Sequence, residues 1–504
     1  VRPTPEALYG FYFLRVEVLQ VQRESLEFLF HPESVAVVGA SADPNSYGYD
    51  YLKHLIDYGF PGKVYPINIR RAEVLGLKAY TTLDEVPGRV DYVIGCIALT
   101  QVPALLEACA RKGTKAVHIF SALGSETGLP EGRALEGEIL KKAREYGLRL
   151  LGPNCLGIYC PGAKLSFGFD FPNEAGGIGA LVQSGGSAID LVQYGALSGL
   201  RFSKVISYGN ALDINEGELL EYLAADPPTR VILAFIEGLR VDGREFLELL
   251  RRAARAKPVI ICKGGRSRAG ARCTLSHTAS LAGSSGIWDT AIRQAGGIPV
   301  RDIDDLVEMA VAFSLLAPIR GRRIGTGGAG GGRNTVSVDE WEENGFEVTA
   351  LPEVIREDFR KRGSRLWYCL GNPADRSIAT AFPGDAFTVP ALLMEMAKSD
   401  SYDFICANMA GDEHPHSLEN YRRVMEEHVD GYIKLYKESP KPFFLIFNSR
   451  PLGIKEMDGW RWREIARLRT RLLGAGVPFF PSVDKAAKAI NELIAYYRWR
   501  DEAD

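Results

Sequence analysis

From residue 34 onward, short apolar runs alternate with longer stretches in which apolar residues recur at helical spacing. SVAVVGA (34–40), KVYPIN (63–68), YVIGCIA (92–98), KAVHIFS (115–121) and RLLG (149–152) read as buried strands. QVPALLEACARKG (101–113) and GRALEGEILKKAREYG (132–147) read as the amphipathic helices between them. This first block closes near LGPNCLGIYCPG (151–162), where Pro and Gly interrupt the pattern. The link FPNEAGG (171–177) opens a second block, with strands at GALV (179–182), KVISYG (204–209), RVILAFIEG (230–238) and PVIICKGG (258–265). Its helices centre near 190, 220, 248 and 290 and end with DIDDLVEMAVAFSLLA (302–317). A third block starts at GRRIGTGGAGGGRN (321–334) and runs to about 498, its clearest strands being FICANM (404–409) and PFFLIF (442–447). Strands separated by helices of this length predict βαβ units and parallel sheets, so the expected class is α/β, multidomain and doubly wound.

Composition narrows the function classes. A chain of 504 residues, 46% hydrophobic, is long enough for about three or four domains. Sixty Lys+Arg against sixty-three Asp+Glu leave a net charge of −3, with no global drive toward nucleic acid or an anionic membrane. No apolar stretch approaches the ~20 residues of a membrane span. The N-terminal VRPTPEALYGFYFLRVEVLQ carries Arg and Glu through its middle and lacks the pattern of a signal peptide. Eight cysteines without a CxxC pair predict scattered thiols in a reducing, cytoplasmic setting and no zinc site. His414 and His416, in DEHPH, come nearest to a metal tract and read as loop residues, since Pro415 breaks any helical face. The 53 glycines exceed the roughly 35 that average usage predicts, and they cluster just after apolar runs.

Three segments carry candidate chemistry. In VVGASADPNSYGY (37–49), Gly39 ends the first strand and Gly48 opens the next helix, where backbone N–H groups can meet a phosphate; a tight structural turn is the alternative. Arg70, in YPINIR, lies past the second strand, where a cation could meet a ribose phosphate or simply be solvated. LVQSGGSAIDL (181–191) feeds Ser184, Gly185 and Gly186 from a strand into a helix, which reads as an anion cradle with a capping hydroxyl or as an ordinary strand-to-helix turn. It lacks the Gly two residues before the Ser that a hydrolase nucleophile elbow needs. In KGGRSRAGARCTLSHTASLAGS (263–284), His277 sits among small and hydroxyl residues, in what reads as a loop, near Lys263, Arg266, Arg268 and Arg272. A lone His is more often structural, but a neutral imidazole there suits nucleophilic attack on phosphorus, with cations and N–H groups stabilising the product. Glu237, ending the neighbouring strand in AFIEGLRVDGR, is within reach to fix its tautomer.

At these residues the chain resembles the NDP-forming (ADP-forming) acyl-CoA synthetase superfamily, α-type subunit, related to the succinyl-CoA synthetase α subunit. HPESVAVVGAS, LGPNCLG, QSGG, SYGNALDINEGELLEYL, FIEGLRVDGR and GRSRAGARCTLSHTASLAGS carry the likeness, which spans roughly residues 26–498. It implies an N-terminal extension (1–25), a CoA-binding Rossmann-like domain (26–162), a flavodoxin-like domain with the phosphohistidine loop (176–318) and a second flavodoxin-like domain (319–498). The CoA contacts it implies are Gly39, Ala40, Ser41, Gly48, Asn68 and Arg70, with Ile97, Ala98, Ser121 and Ala122 lining nucleotide and pantetheine. His277 would be the phosphorylated residue, oriented by Glu237, and Ser184, Gly185 and Gly186 would receive phosphate.

The activity implied is reversible ligation of a small carboxylic acid to CoA through an acyl phosphate and a phosphohistidine. Two departures from the family pattern qualify it. No ATP-grasp domain and no Walker-type loop occurs in the 504 residues, so ATP/ADP and Mg²⁺ are expected on a separate ATP-grasp β-type subunit of a hetero-oligomer. GTGGAGGGRN (325–334) and NPADRS (372–377) replace the relatives' Thr-Asn-Gly-Gly and Asn-Pro-Val-Asp, leaving that Gly-rich loop as a structural element or a third phosphate cradle. The rivals are a CoA-dependent acyl or carbamoyl transferase-like relative, a CoA-responsive regulatory binding module, and an NAD oxidoreductase. Against the last, Glu73 falls late for a ribose-binding carboxylate.

Overall fold

The computed structural model describes residues 26–278, 285–381, 384–409, 418–447 and 459–502; the N-terminal extension 1–25 and the pair His414 and His416 lie outside them. Among the described residues, those up to Ala310 gather into one compact unit and those from Val311 onward into another. The class is the expected one: α/β with parallel sheets. No helix among the described residues is long and apolar enough to cross a membrane.

The first unit contains two sheets. One is built from β1 (Ser34–Val38), β2 (Lys63–Ile67), β5 (Tyr92–Gly95), β6 (Ala116–Ile119) and β7 (Arg149–Leu151), with the small hairpin β3 (Glu73–Val74) and β4 (Leu77–Lys78) set aside as its own pair. Its order is β2-β1-β5-β6-β7, all parallel, so the direction of winding reverses between β1 and β5. Val38 is in register with both Ile67 and Gly95, which brings the ends of these three strands level. Helices Val102–Arg111 and Pro130–Glu145 bury Leu105, Leu106, Cys109 and Ile139 against this sheet. Burying both faces is what allows the strands to be continuously apolar.

The second sheet comprises β8 (Gly157–Tyr159), β9 (Ile178–Val182), β10 (Phe202–Ser207), β11 (Val231–Ile236), β12 (Val259–Lys263) and β13 (Ile298–Val300). Its order is β13-β12-β11-β9-β10-β8, and its winding reverses between β9 and β11. β8 is antiparallel to β10, with Tyr159 opposite Val205. The segment read as the close of the first block therefore crosses to the second sheet. Buried Tyr159 packs its ring on Phe167, Phe171 and Phe202, an aromatic cluster that only the tertiary fold assembles.

The second unit contains four parallel strands in chain order, β14 (Ile324–Gly327), β15 (Phe404–Asn408), β16 (Phe443–Ile446) and β17 (Phe479–Phe480). The start of the Gly-rich stretch is itself a strand. A Cβ on Gly325 would lie 2.8 Å from Ile405 Cδ1, so a side chain there would displace that methyl. On one face Trp341, Phe346, Phe404 and Phe444 form a tilted and edge-on stack.

Candidate active site

In open doubly wound sheets, ligands bind beyond the strand ends where the winding reverses. In the first sheet that point lies between Gly39 and Cys96. Gly39 has φ +88°, and a Cβ on it would come within 2.4 Å of the Cys96 carbonyl oxygen. The N–H groups of Gly39 and Ala40 both donate to the Ile67 carbonyl at 3.2 Å. Helix Tyr47–Asp57 begins directly on this turn: Ser46 caps it by accepting from Tyr49 N, and a Cβ on Gly48 would lie 2.0 Å from the Gly39 carbonyl oxygen. Asn68 donates to the Ala40 carbonyl at 2.7 Å and accepts from Arg70 N and Arg71 N, leaving the Arg70 side chain exposed at the rim. The Ser41 hydroxyl accepts from Asp43 N at 3.0 Å, and the Ser121 hydroxyl donates to the Ile97 carbonyl. Ala98 and Ala122 are exposed beside them. The candidate residues of the first block thus converge on one crevice. Cys96 stands in it as a thiol, its pKa pushed up to about 12 by burial and then by Asp50.

In the second sheet the reversal falls between β9 and β11, where two other candidates meet. Ser184 caps helix Gly185–Leu197 by accepting from Ser187 N, while a Cβ on Gly186 would meet nothing within 4 Å. A Cβ on Gly185 would touch Leu156 at 3.0 Å. Glu237, buried at 6% exposure, follows β11. Its backbone is clasped from both sides: Glu237 N and Gly238 N donate to Gln183 Oε1 at 2.8 and 3.1 Å, and Lys263 Nζ donates to the Glu237 carbonyl at 2.7 Å. Burial lowers the Lys263 pKa, and the Glu237 charge opposes that shift.

The segment carrying His277 departs from its expected loop. It forms helix Arg268–Thr278, following β12, with the Ser267 hydroxyl accepting from Gly270 N at 3.0 Å. Ala, Arg and Leu favour this geometry, and a Ser cap starts it. His277 is the penultimate residue of that helix; its side chain, and residues 279–284 after it, lie outside what is described. Arg266 is engaged by Asp289 at 2.9 Å, so one of the four neighbouring cations is already paired.

The two crevices are tied together by polar contacts that spacing alone does not reveal. The Asn210 side-chain amide donates to Glu126 Oε2 at 2.6 Å and Glu136 Oε1 at 2.9 Å, and its backbone N donates to the Pro153 carbonyl at 3.0 Å. Gly209, at φ +57°, would place a Cβ 2.3 Å from the carbonyls of Pro153 and Asn154. LGPNCLG and SYGN therefore interlock. The helix bearing His277 lies against the turn Ser125–Thr127 that holds Glu126, so it reaches from the second sheet to the edge of the first. Buried Glu216 accepts from Arg240 N and Val241 N, and burial raises its pKa; burial and then Glu216 push up that of Tyr208. Gln183, Asn210, Glu126 and Glu216 are the residues whose roles sequence reasoning missed, although all but Glu126 fall inside the motifs it singled out. In the second unit, Asn372 of NPADRS pins the Gly-rich loop: it accepts from Thr326 N at 2.9 Å and donates to the carbonyls of Ile324 and Thr349. Among the described residues no cluster of three His, Cys, Asp or Glu could hold a metal ion.

Comparison with known proteins follows these two sheets closely. The CoA binding domain family matches residues 33–161, and the succinyl-CoA ligase like flavodoxin domain family matches residues 175–313. The α subunit of ADP-forming acetate–CoA ligase II from Pyrococcus furiosus is 36% identical over 471 residues, covering 93% of this chain and 97% of its own length. The ADP-forming 4-hydroxybutyrate–CoA ligase of Nitrosopumilus maritimus is 35% identical over 94% of this chain and 64% of its own. Among solved structures, the dinucleotide-forming acetyl-coenzyme A synthetase 1 of Ca. Korarchaeum cryptofilum, in complex with phosphate and ADP, superposes with a TM-score of 0.77. It is 30% identical, over 94% of this chain and 97% of that one.

Proposed function

Because the chain belongs to the ADP-forming acyl-CoA synthetases as an α-type subunit, we propose that it supplies the CoA crevice and a phosphorylatable His277 to a ligase whose nucleotide site, with its Mg²⁺, lies on a separate ATP-grasp subunit. The net reaction is acid, CoA and ATP to acyl-CoA, ADP and phosphate, run in either direction. Toward ATP, a phosphate oxygen attacks the thioester carbonyl; the C–O bond forms, the C–S bond breaks and CoA leaves as thiolate. The His277 imidazole then attacks phosphorus; the N–P bond forms, the P–O bond to the acyl group breaks and the carboxylate leaves. Transfer of that phosphoryl group to ADP regenerates the imidazole. Each intermediate is a high-energy species, so the protein's contribution is positioning, charge neutralisation and exclusion of water.

The observation that carries the proposal is the bracing of Glu237 beside the helix start at Ser184, next to a strand, β12, whose following helix bears His277 and reaches the CoA-side turn Ser125–Thr127. A carboxylate held on rigid backbone can accept one imidazole N–H and leave the other nitrogen's lone pair for phosphorus. Gly39–Ser41, Gly48, Asn68 and Arg70, with Ile97, Ala98, Ser121 and Ala122, are the residues we assign to CoA.

The test is phosphosite mapping of the chain with its native partner, γ-labelled ATP and Mg²⁺. Acid-labile, alkali-stable label is expected on His277, discharged by CoA plus acetate or another small acid, and absent from His277→Ala, which keeps its CoA affinity. No label with an active nucleotide-binding partner would return the chain to the transferase or CoA-sensing alternatives.

A further inference from the structure

We infer that Gln183 is a direct ligand of the transferring phosphoryl group, donating from its side-chain amide at the switch point of the second sheet. The inference rests on Ser184–Gly186 being the phosphate cradle, and it adds a residue that the cradle alone does not contain. Gln183 is 1% exposed, sits one residue beyond β9 and immediately precedes the Ser184 cap. Its own N–H is used by the Phe235 carbonyl at 2.9 Å. Its Oε1 accepts from two backbone donors, Glu237 N and Gly238 N. Only a carbonyl oxygen can accept from both, so chemistry fixes which end of the amide faces them. The Nε2 is left buried with two N–H donors and no partner among the described residues.

A buried amide without an acceptor costs about 1–3 kcal/mol, so such a group signals a missing partner. An acceptor bound at the start of helix Gly185–Leu197, whose cap is the residue next to Gln183, would supply that partner. The lone pair of the His277 imidazole fits poorly. Glu237, as tautomer-fixing acceptor, would leave that lone pair as the nucleophile, and a donor on it would oppose attack. A phosphoryl group offers three acceptor oxygens and no competing demand. At a helix start it already meets N–H groups of the same polarity, and the exposed Gly186 leaves room for it. Gln183 would thus link two tasks: its oxygen holds the backbone of Glu237 and its nitrogen holds phosphate at the distance this bracing sets.

The test compares wild type, Gln183→Glu and Gln183→Met, each assembled with the native partner. Apparent affinities for inorganic phosphate and for CoA are read from ligand-induced thermal stabilisation, and labelling by γ-labelled ATP is followed in parallel. Gln183→Glu keeps the accepting oxygen and replaces the donor by an oxygen, so it isolates the donor; Gln183→Met removes both the donor and the oxygen that holds Glu237 N and Gly238 N, without adding charge. We expect phosphate affinity to fall at least tenfold in both, CoA affinity to stay within twofold, and labelling of His277 to slow. In Gln183→Glu the phosphate deficit relative to wild type should shrink from pH 7.5 to 5.5, as the introduced carboxyl protonates and regains a donor. Unchanged phosphate affinity in Gln183→Met, or parallel loss of CoA and phosphate in both variants, would overturn the inference. A wild-type protein neither stabilised by phosphate nor labelled would instead fail the cradle on which it rests.

Discussion

At the residue scale, the second-sheet site is organised around one carboxylate whose backbone is held from two neighbouring strands. Glu237 N is fixed by Gln183 and its carbonyl by Lys263, so the side chain is aimed by two neighbouring strands. This arrangement suits an orienting group, which needs a fixed origin. Glu237→Gln preserves the shape and removes the charge. The expected result is phosphorylation of His277 slowed on the order of 10²–10⁴-fold with CoA affinity unchanged, measured by rapid-quench labelling with the partner present. An unaltered rate would take Glu237 out of the reaction and leave it a structural residue.

At the element scale, strand β6 brings a titratable group into the core of the CoA-binding sheet. His118 is fully enclosed, its Nε2 3.1 Å from the Cys155 carbonyl, and burial lowers its pKa to about 4 against a small opposing pull from that carbonyl. The unfolded chain takes up this proton near pH 6.5 and the folded chain only near 4. Between those values the unfolded state binds more protons, so the stabilisation is complete above about pH 6.5 and is lost as pH falls toward 4. The predicted loss from this one group is roughly 2 kcal/mol between pH 7 and pH 5. The check is the urea midpoint at both pH values in wild type and in His118→Gln; an equal slope in the two would acquit His118. The same sheet explains the glycines that sequence could only count: Gly39 and Gly48 are one contact, the helix start resting on the turn that ends β1.

At the scale of the whole molecule, the residues we assign to CoA and those we propose for phosphoryl transfer lie on separate sheets of one compact unit, joined through Asn210, Glu126 and the helix that carries His277. The chain should therefore bind CoA without its partner. A ligand-stabilisation scan should show CoA raising the melting temperature, by the equivalent of about 2.7 kcal/mol at a hundredfold excess over Kd, with NAD giving no shift. Stabilisation by NAD alone would overturn the assignment of the first crevice. Glu73 is exposed in the hairpin β3–β4 rather than at the tip of β2.

Alternating apolar runs and helical periodicity were enough to determine the class, the five strands of the first sheet, four of the six strands of the second, and the motifs at their ends. A buried strand must be continuously apolar, and a turn that meets a neighbouring backbone must be glycine. What the sequence could not decide is which strand ends lie side by side. β8 pairs with β10, and Phe167, Phe171 and Phe202 pack on its Tyr159. The His277 segment is a helix because Ser267 caps it and the turn at Ser125–Thr127 supports it, although its small residues read as a loop. Gln183 looked like one more letter of QSGG until the reversal of winding between β9 and β11 set it against Glu237. Periodicity reports which face of an element is buried; the pairing of one strand end with another depends on contacts between residues fifty or more positions apart, and only the folded chain brings them together.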